Sequence, residues 1–326
     1  MKCKAIVVHQ IGGPEVLRYE EVEVPAPGPG EALVRHRAIG LNFVDIYVRS
    51  GVYPPPSLPY TPGTEGAGVV EAVGPNVSEV RVGDRVAYVG GPLGSYSEAR
   101  VIPSRVLVKL PDKIDEATAA AAMLKGLTAE YLVHSTYAVK PGDTILLHAA
   151  AGGTGLILAQ WAKHLGATVI GTVGSDEKAK LAAAHGCAHT INYSREDFVA
   201  RVKEISDGKN VAVVYDSVGQ TTFMKSLDCL RPRGLMVSFG QSSGVVPPFS
   251  INILSGKGSL YVTRPTLATY IVRREDLEAA ARRLFDVLAS GAVRCEVKRT
   301  FKLADAAAAH RALGQRETTG SSILLP

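Results

Sequence analysis

Ala150, Gly152 and Gly155 carry the clearest chemical signal in the sequence, small residues at a fixed spacing inside residues 144–165, TILLHAAAGGTGLILAQWAKHL. An apolar, β-branched run enters a small-residue turn, and apolar positions at helical spacing follow it up to Gly166. The pattern is G-x-G-x-x-G with alanine in the first place, and Gly153 and Thr154 fill the gap before Gly155. A strand, a sharp turn and a helix built this way let the backbone approach a pyrophosphate and aim unpaired helix N–H groups at its charge. A second candidate set lies where the next strand ends, at Gly174 and Ser175, with Lys178 three residues on. Folds that bind NAD usually place Asp or Glu there to accept from the adenosine ribose. A hydroxyl and an ammonium suit a 2′-phosphate instead, so NADPH is expected over NADH. Asp176 and Glu177 beside Lys178 also fit an ordinary solvated helix.

The elements that position these residues alternate. Strands are expected at 144–149, 167–173, 189–192, 211–217 and 234–240, with helices running to 165 and over 176–185, 195–205 and 222–230. Short loops between apolar strands predict an α/β fold with a doubly wound parallel sheet, a Rossmann-type nucleotide domain. The preceding part reads as β-rich and barrel-like, with strands at 4–9, 31–38, 66–73, 85–89 and 95–101. Residues 42–50 have helical or turn character, and residues 52–62 form a proline-dense loop, either at a cleft mouth or on the surface. An alanine-rich helix from Asp115, followed at Lys125-Gly126 by another reaching about Ser135, makes the joint. A strand after Gly258 and amphipathic helices at 274–290 and 303–313 complete the chain. The expected division is 1–124 as a catalytic β-rich domain, 125–263 as the nucleotide domain, and 264–326 as a segment returning to the first.

With 326 residues, of which 46% are hydrophobic, two sizeable cores can form. The net charge of +5 comes from scattered lysines and arginines, so no nucleic acid partner is expected. Cys3, Cys187, Cys229 and Cys295 form no close pair, which points to a reducing compartment. No apolar stretch approaches the roughly 18 residues of a membrane helix, and the opening residues are too short for a signal core. The expectation is a soluble, cytoplasmic protein without a membrane partner.

Several segments together resemble the NADPH-dependent quinone oxidoreductases of the zeta-crystallin type, within the medium-chain dehydrogenase/reductase superfamily. They are GGPEVL (12–17), AIGLNFVDIYVRSGVYPPP (38–56), PGTEGAGVVEAVG (62–74), GDRVAY (83–88), LKGLTAEYL (124–132), HAAAGGTG (148–155), INY (191–193), VVYDSVG (213–219) and TTGSSILLP (318–326). The resemblance implies a GroES-like catalytic domain, NADPH as cofactor and a small-molecule quinone as substrate. It further implies cofactor contacts from Asn42, Tyr47, Thr128, Tyr131, Tyr193, Ser217, Phe239, Gly240, Thr263 and Arg316, besides Gly152 to Gly155, Gly174, Ser175 and Lys178. Where the zinc alcohol dehydrogenases of the superfamily carry a cysteine and a Gly-His-Glu run, this chain has Asn42 and Gly63-Thr64-Glu65. No zinc is expected, since that ion needs three or four Cys, His or carboxylate ligands. His185, Cys187 and His189 read as a turn, because Gly186 ends the helix before them.

Hydride transfer to a quinone needs mainly positioning and exclusion of water. Asn42, Asp45, Tyr47 and Tyr53 are the catalytic candidates, with Thr64 as a polar neighbour and Tyr47 or Tyr53 as donor to the quinone oxygen. Asp45 would equally cap a helix, and both tyrosines would equally pack. Two other activities stay open: reduction of an enone or alkenal double bond, and a structural or RNA-binding role that keeps the NADPH site. A homodimer is expected through the edge strand at 260–263.

Overall fold

The computed structural model describes residues 1–55, 57–315 and 319–326. They form two compact units: Met1–Leu127, Ile271–Ala289 and Cys295–Pro326 make the first, Thr128–Tyr270 and Ser290–Arg294 the second.

In the second unit the central strands Thr144–Leu147, Thr168–Val173 and Val211–Asp216 are almost wholly buried apolar runs, as expected of an all-parallel sheet covered on both faces. The sheet has six strands in the order His189–Asn192, Thr168–Val173, Thr144–Leu147, Val211–Asp216, Leu230–Ser238, Tyr261–Thr263, all parallel. Leu146, Ile170, Ile191, Val214 and Met236 are fully buried and share one core with Phe198 and Phe223 from the crossovers. The expected doubly wound sheet is what forms, with three local corrections. The helix expected from 195 begins only at Phe198, because Asp197 caps it by accepting the Val199 N–H at 2.9 Å. The helix expected over 222–230 shrinks to Phe223–Ser226 and a 3-10 turn at Leu227–Cys229. The next strand then starts at Leu230 rather than 234, because the breaker-like Pro232-Arg233-Gly234 is a bulge, with Arg233 at φ 61 and a register shift against Val211–Asp216.

The first unit is built on a seven-stranded sheet in the order Val297–Lys302, Ser321–Leu325, Glu31–Gly40, Glu65–Val73, Arg85–Val89, Leu107–Lys109, with Ala99–Pro103 also on Glu31–Gly40. A hairpin of Lys2–Val8 and Leu17–Glu23 lies outside it. The strand Leu17–Glu23 is absent from the sequence-based expectation because Arg18, Glu20, Glu21 and Glu23 mask its alternation. Instead of two helices meeting at Lys125-Gly126, one helix runs from Glu116 to Tyr131 and ends in a π turn at Leu132–Thr136. Gly126 is no breaker there: a Cβ on it would stand 2.5 Å from Leu284 of the packed helix Arg274–Ala289, so its bareness lets the helices close up.

Candidate active site

The turn after Thr144–Leu147 puts Ala149 in the left-handed region, at φ 53, one residue before Ala150, which holds the first position of the motif. Ala150 is fully buried and donates its N–H to Thr172 O at 3.1 Å, while Ala149 O accepts from Gly152 N–H at 2.9 Å. Gly152 then caps the helix Gly153–His164, whose first turn carries Thr154 and Gly155. A Cβ on Gly155 would overlap Ala149 O and Ala150, so only glycine lets helix and turn approach this closely. The first N–H groups of a helix lack intrahelical partners, and this bare turn leaves an anion room to reach them.

Most of the residues named from sequence in this unit fall along one edge. In spatial order the strands end at Tyr193, at Gly174 and Ser175, at the Ala149–Gly155 turn, at Ser217, at Phe239 and Gly240, and at Thr263. This is the carboxyl edge of a parallel sheet, where ligands of such folds bind. At one end the half-exposed Tyr193 places its hydroxyl 2.8 Å from where a Cβ on Gly174 would be. Ser175 caps the helix Asp176–Ala184, accepting the Lys178 N–H at 3.3 Å, and it also bonds the exposed Glu177 carboxyl. Asp176 accepts from the Asn192 side-chain amide at 2.9 Å and pairs with Arg195 at 2.8 Å, a cation at this corner that was not among the candidates from sequence. In the middle, a Cβ on Gly240 would stand 2.7 Å from Ser217 O. The buried Asp216 shapes the neighbouring loop, accepting from Val218 N–H at 2.7 Å, Gly219 N–H at 3.1 Å and the Thr222 hydroxyl at 2.8 Å. Its only sequence signal was an Asp ending an apolar strand before Ser-Val-Gly. Tyr131, one turn beyond Thr128 in its helix, stacks flat on Tyr270 with centroids 4.4 Å apart, and burial raises its phenol pKa. Arg316 lies outside the described residues.

In the first unit the structure brings Asn42 and Asp45 together at the start of the helix Phe43–Arg49. The Asn42 N–H donates to Asp45 Oδ2 at 2.9 Å, so Asp45 does cap the helix. The Asn42 side chain turns instead to Glu65, donating to Oε1 at 2.5 Å. Glu65, fully buried, also accepts from Leu124 N–H at 2.5 Å and pairs with Lys125, 3.5 Å away. Its carboxylate fits only because Gly40 has no side chain. Tyr47 and Tyr53 meet edge to face at 5.3 Å, and the Tyr53 N–H donates to Tyr47 O at 3.0 Å. Thr64 Oγ1 is buried without a hydrogen-bond partner among the described residues.

Burial pushes the Asp45 carboxyl up to about 7, against the pull of its two donors. The second donor is Tyr96, whose hydroxyl lies 3.0 Å from Oδ2 and also 3.0 Å from His310 Nε2. Arg49 Nη1 stands 3.2 Å from His310 Nδ1, and burial drives His310 down to about 3, so the imidazole is neutral. None of Glu65, Lys125, Tyr96, His310 and Arg49 was among the candidates from sequence.

Residues 28–112 match the family described as "Alcohol dehydrogenase GroES-like domain" and residues 153–286 that described as "Zinc-binding dehydrogenase". A Pseudomonas aeruginosa protein named quinone oxidoreductase is 56% identical over 324 residues, which are 99% of this chain and 100% of its own. The chain belongs to the quinone oxidoreductase family. The crystal structure of Escherichia coli quinone oxidoreductase complexed with NADPH matches with a TM-score of 0.97 at 51% identity, over 99% of this chain and 100% of that one. A Burkholderia protein named 2-haloacrylate reductase is 49% identical over 99% of this chain and 98% of its own. Although one matching family takes its name from zinc, these residues do not fit the ion. At Asn42, Thr64 and Glu65 they offer an amide, a hydroxyl and one carboxylate already paired with an ammonium. No group of three or more His, Cys, Asp or Glu among the described residues is arranged for a metal.

Proposed function

We infer that this protein is a zinc-independent oxidoreductase that reduces quinones with NADPH. The observation that carries the reading is the sheet edge: Tyr193, Gly174, Ser175, the Ala149–Gly155 turn, Ser217, Gly240 and Thr263 follow one another at consecutive strand ends, with a cradle at Gly155 that a Cβ would fill. NADPH, when bound, supplies the hydride. The helix Gly153–His164 holds the pyrophosphate at its first N–H groups, and Ser175, Lys178 and Tyr193 receive the 2′-phosphate. Phe239 and Thr128 with Tyr131 flank the rest of the cofactor, while Asn42, Tyr47 and Tyr53 orient the quinone, a tyrosine hydroxyl donating to its oxygen. Free cysteines at all four positions fit a cytoplasmic protein. Tyr261 and Val262 form an exposed, partly apolar edge strand, which supports a homodimer paired across it.

The test is the rate of NADPH oxidation by chelator-treated protein with a panel of simple quinones, repeated with NADH. Fast turnover that prefers NADPH and survives chelation is expected; NADPH binding without quinone turnover refutes the reading. Reduction of an activated carbon–carbon double bond is the second reading, favoured by the identity to the Burkholderia 2-haloacrylate reductase. It predicts turnover of a haloacrylate or enone at rates above those with any quinone.

A further inference from the structure

Four side chains of the first unit form a buried chain that the functional reading leaves without a task. Arg49, always a donor, can only donate to His310 Nδ1, at 3.2 Å. That places the imidazole proton on Nε2, which donates to the Tyr96 oxygen at 3.0 Å. The Tyr96 proton then points to Asp45 Oδ2, also at 3.0 Å. Every donor along the chain therefore aims the same way, and Oδ2 is filled by Tyr96 and by the Asn42 N–H at 2.9 Å. Asp45 Oδ1 is different: it is buried, in a residue only 2% exposed, and has no hydrogen-bond partner among the described residues. An ionised carboxylate there would leave a charged oxygen without a donor, whereas a carboxylic acid needs its proton on that same oxygen.

We propose that Arg49, His310 and Tyr96 are positioning residues that act through Asp45, occupying Oδ2 so that Oδ1 holds the proton that quinone reduction consumes. The inference rests on the quinone reductase reading. Hydride delivery alone leaves the reduced quinone as a monoanion. The Asp45 Oδ1–H bond then breaks, the proton forms an O–H bond on the hydroquinone directly or through water, and Asp45, left as a carboxylate, takes a proton from solvent before the next cycle. No electrons pass through the chain. Arg49 cannot release a proton at ordinary pH, so the chain is an aligned brace and no conduit. The groups facing Asp45 are Asn42 on its own helix, Tyr96, Glu65, Lys125, and the phenol of Tyr60, another buried oxygen without a hydrogen-bond partner. Glu65 and Lys125 oppose each other, so burial is left to hold the proton while the chain weakens that hold.

The test uses full-length protein labelled with carboxyl-¹³C aspartate and no substrates, titrated by NMR, with the Asp45 signal assigned by its loss in Asp45→Asn. A midpoint near neutrality is expected in the wild type. Tyr96→Phe removes only a hydroxyl, and the midpoint should rise by about one to two pH units, since a donor to the ionised form is lost. The alkaline limb of the quinone kcat profile should move with it. Asp45→Asn should lower kcat by about 10²- to 10⁴-fold with little change in KM. An Asp45 ionised from about pH 5 upward, or an Asp45→Asn enzyme with wild-type kcat, overturns the proposal. A wild-type protein without quinone turnover refutes the functional reading and the use of this proton with it, while the NMR titration still decides whether the chain controls Asp45.

Discussion

Replacing Gly40 with alanine should reveal how much the buried Glu65 carboxylate contributes to the first unit. A Cβ at position 40 would overlap Glu65 Oε1 and Cδ and the backbone oxygen of Ala120. The carboxylate, at the end of a side chain, is what the methyl displaces, while the overlap with the Ala120 backbone oxygen adds a cost that is the same with or without Glu65. The displaced carboxylate then gives up the Asn42 side chain and the Leu124 N–H, both at 2.5 Å, and stands farther from Lys125. Hydrogen bonds to a charged group are worth about 1.5–3 kcal/mol each, which gives about 3–6 kcal/mol for the pair. The added methyl returns about 0.8 kcal/mol. A loss of about 4 kcal/mol follows, within the range for breaking a buried ion pair. Urea unfolding should be followed by far-UV circular dichroism, because the one tryptophan, Trp161, belongs to the other unit and its fluorescence would report that unit. The decisive control is Gly40→Ala in a Glu65→Ala background, where no carboxylate remains to be displaced. A coupling of at least about 2 kcal/mol is expected. If the two costs add to within about 0.5 kcal/mol, the steric account is refuted.

Asp45→Asn should change how stability depends on pH. The folded state raises this carboxyl to about 7, so its stabilising contribution is complete below about pH 4 and is lost as pH climbs through about 7, a change of about 4 kcal/mol. The unfolding free energy of the variant, relative to wild type, should therefore climb by about that amount from pH 4 to 8, and a flat difference would rule the titration out. Gly155→Ala should weaken NADPH binding by about 10- to 100-fold, read by fluorescence titration, through overlap with the rigid Ala149 carbonyl; an unchanged Kd would show that the turn does not hold the cofactor. Lys178→Glu should cost NADPH about 10-fold or more in affinity and NADH little, and equal losses would place the 2′-phosphate elsewhere.

The parallel sheet was legible because its central strands are nearly continuous apolar runs followed by short loops, and the phosphate turn because its parts lie within a few residues of one another. Boundaries went astray where one residue type serves two purposes. Gly126 marks the close approach of Leu284, not a helix end, and Pro232-Arg233-Gly234 bends a strand without ending it. At the phosphate turn the pattern marks Ala150, Gly152 and Gly155 but carries no sign that Ala149 takes the left-handed conformation. Glu65 escaped notice because its partners are set by topology: Asn42 is 23 and Leu124 59 residues away. The chain on Asp45 is more remote still, with Tyr96 and His310 separated by 214 residues and Arg49 and His310 by 261. No local pattern joins such residues; the helix packing and strand pairing of the first unit do.

That pairing also bears on how the protein is made. The strand Ser321–Leu325 lies between Val297–Lys302 and Glu31–Gly40 in the sheet of the first unit, and His310 lies in the helix Ala306–Gly314 before it. Synthesis from the N-terminus therefore delivers all of residues 128–270 before the first unit receives its last two strands. On the ribosome the nucleotide-type sheet has its six strands while Glu31–Gly40 still has an open flank and the chain on Asp45 lacks His310 between Arg49 and Tyr96. The nascent chain thus completes its nucleotide-type sheet before the first unit closes around Asp45.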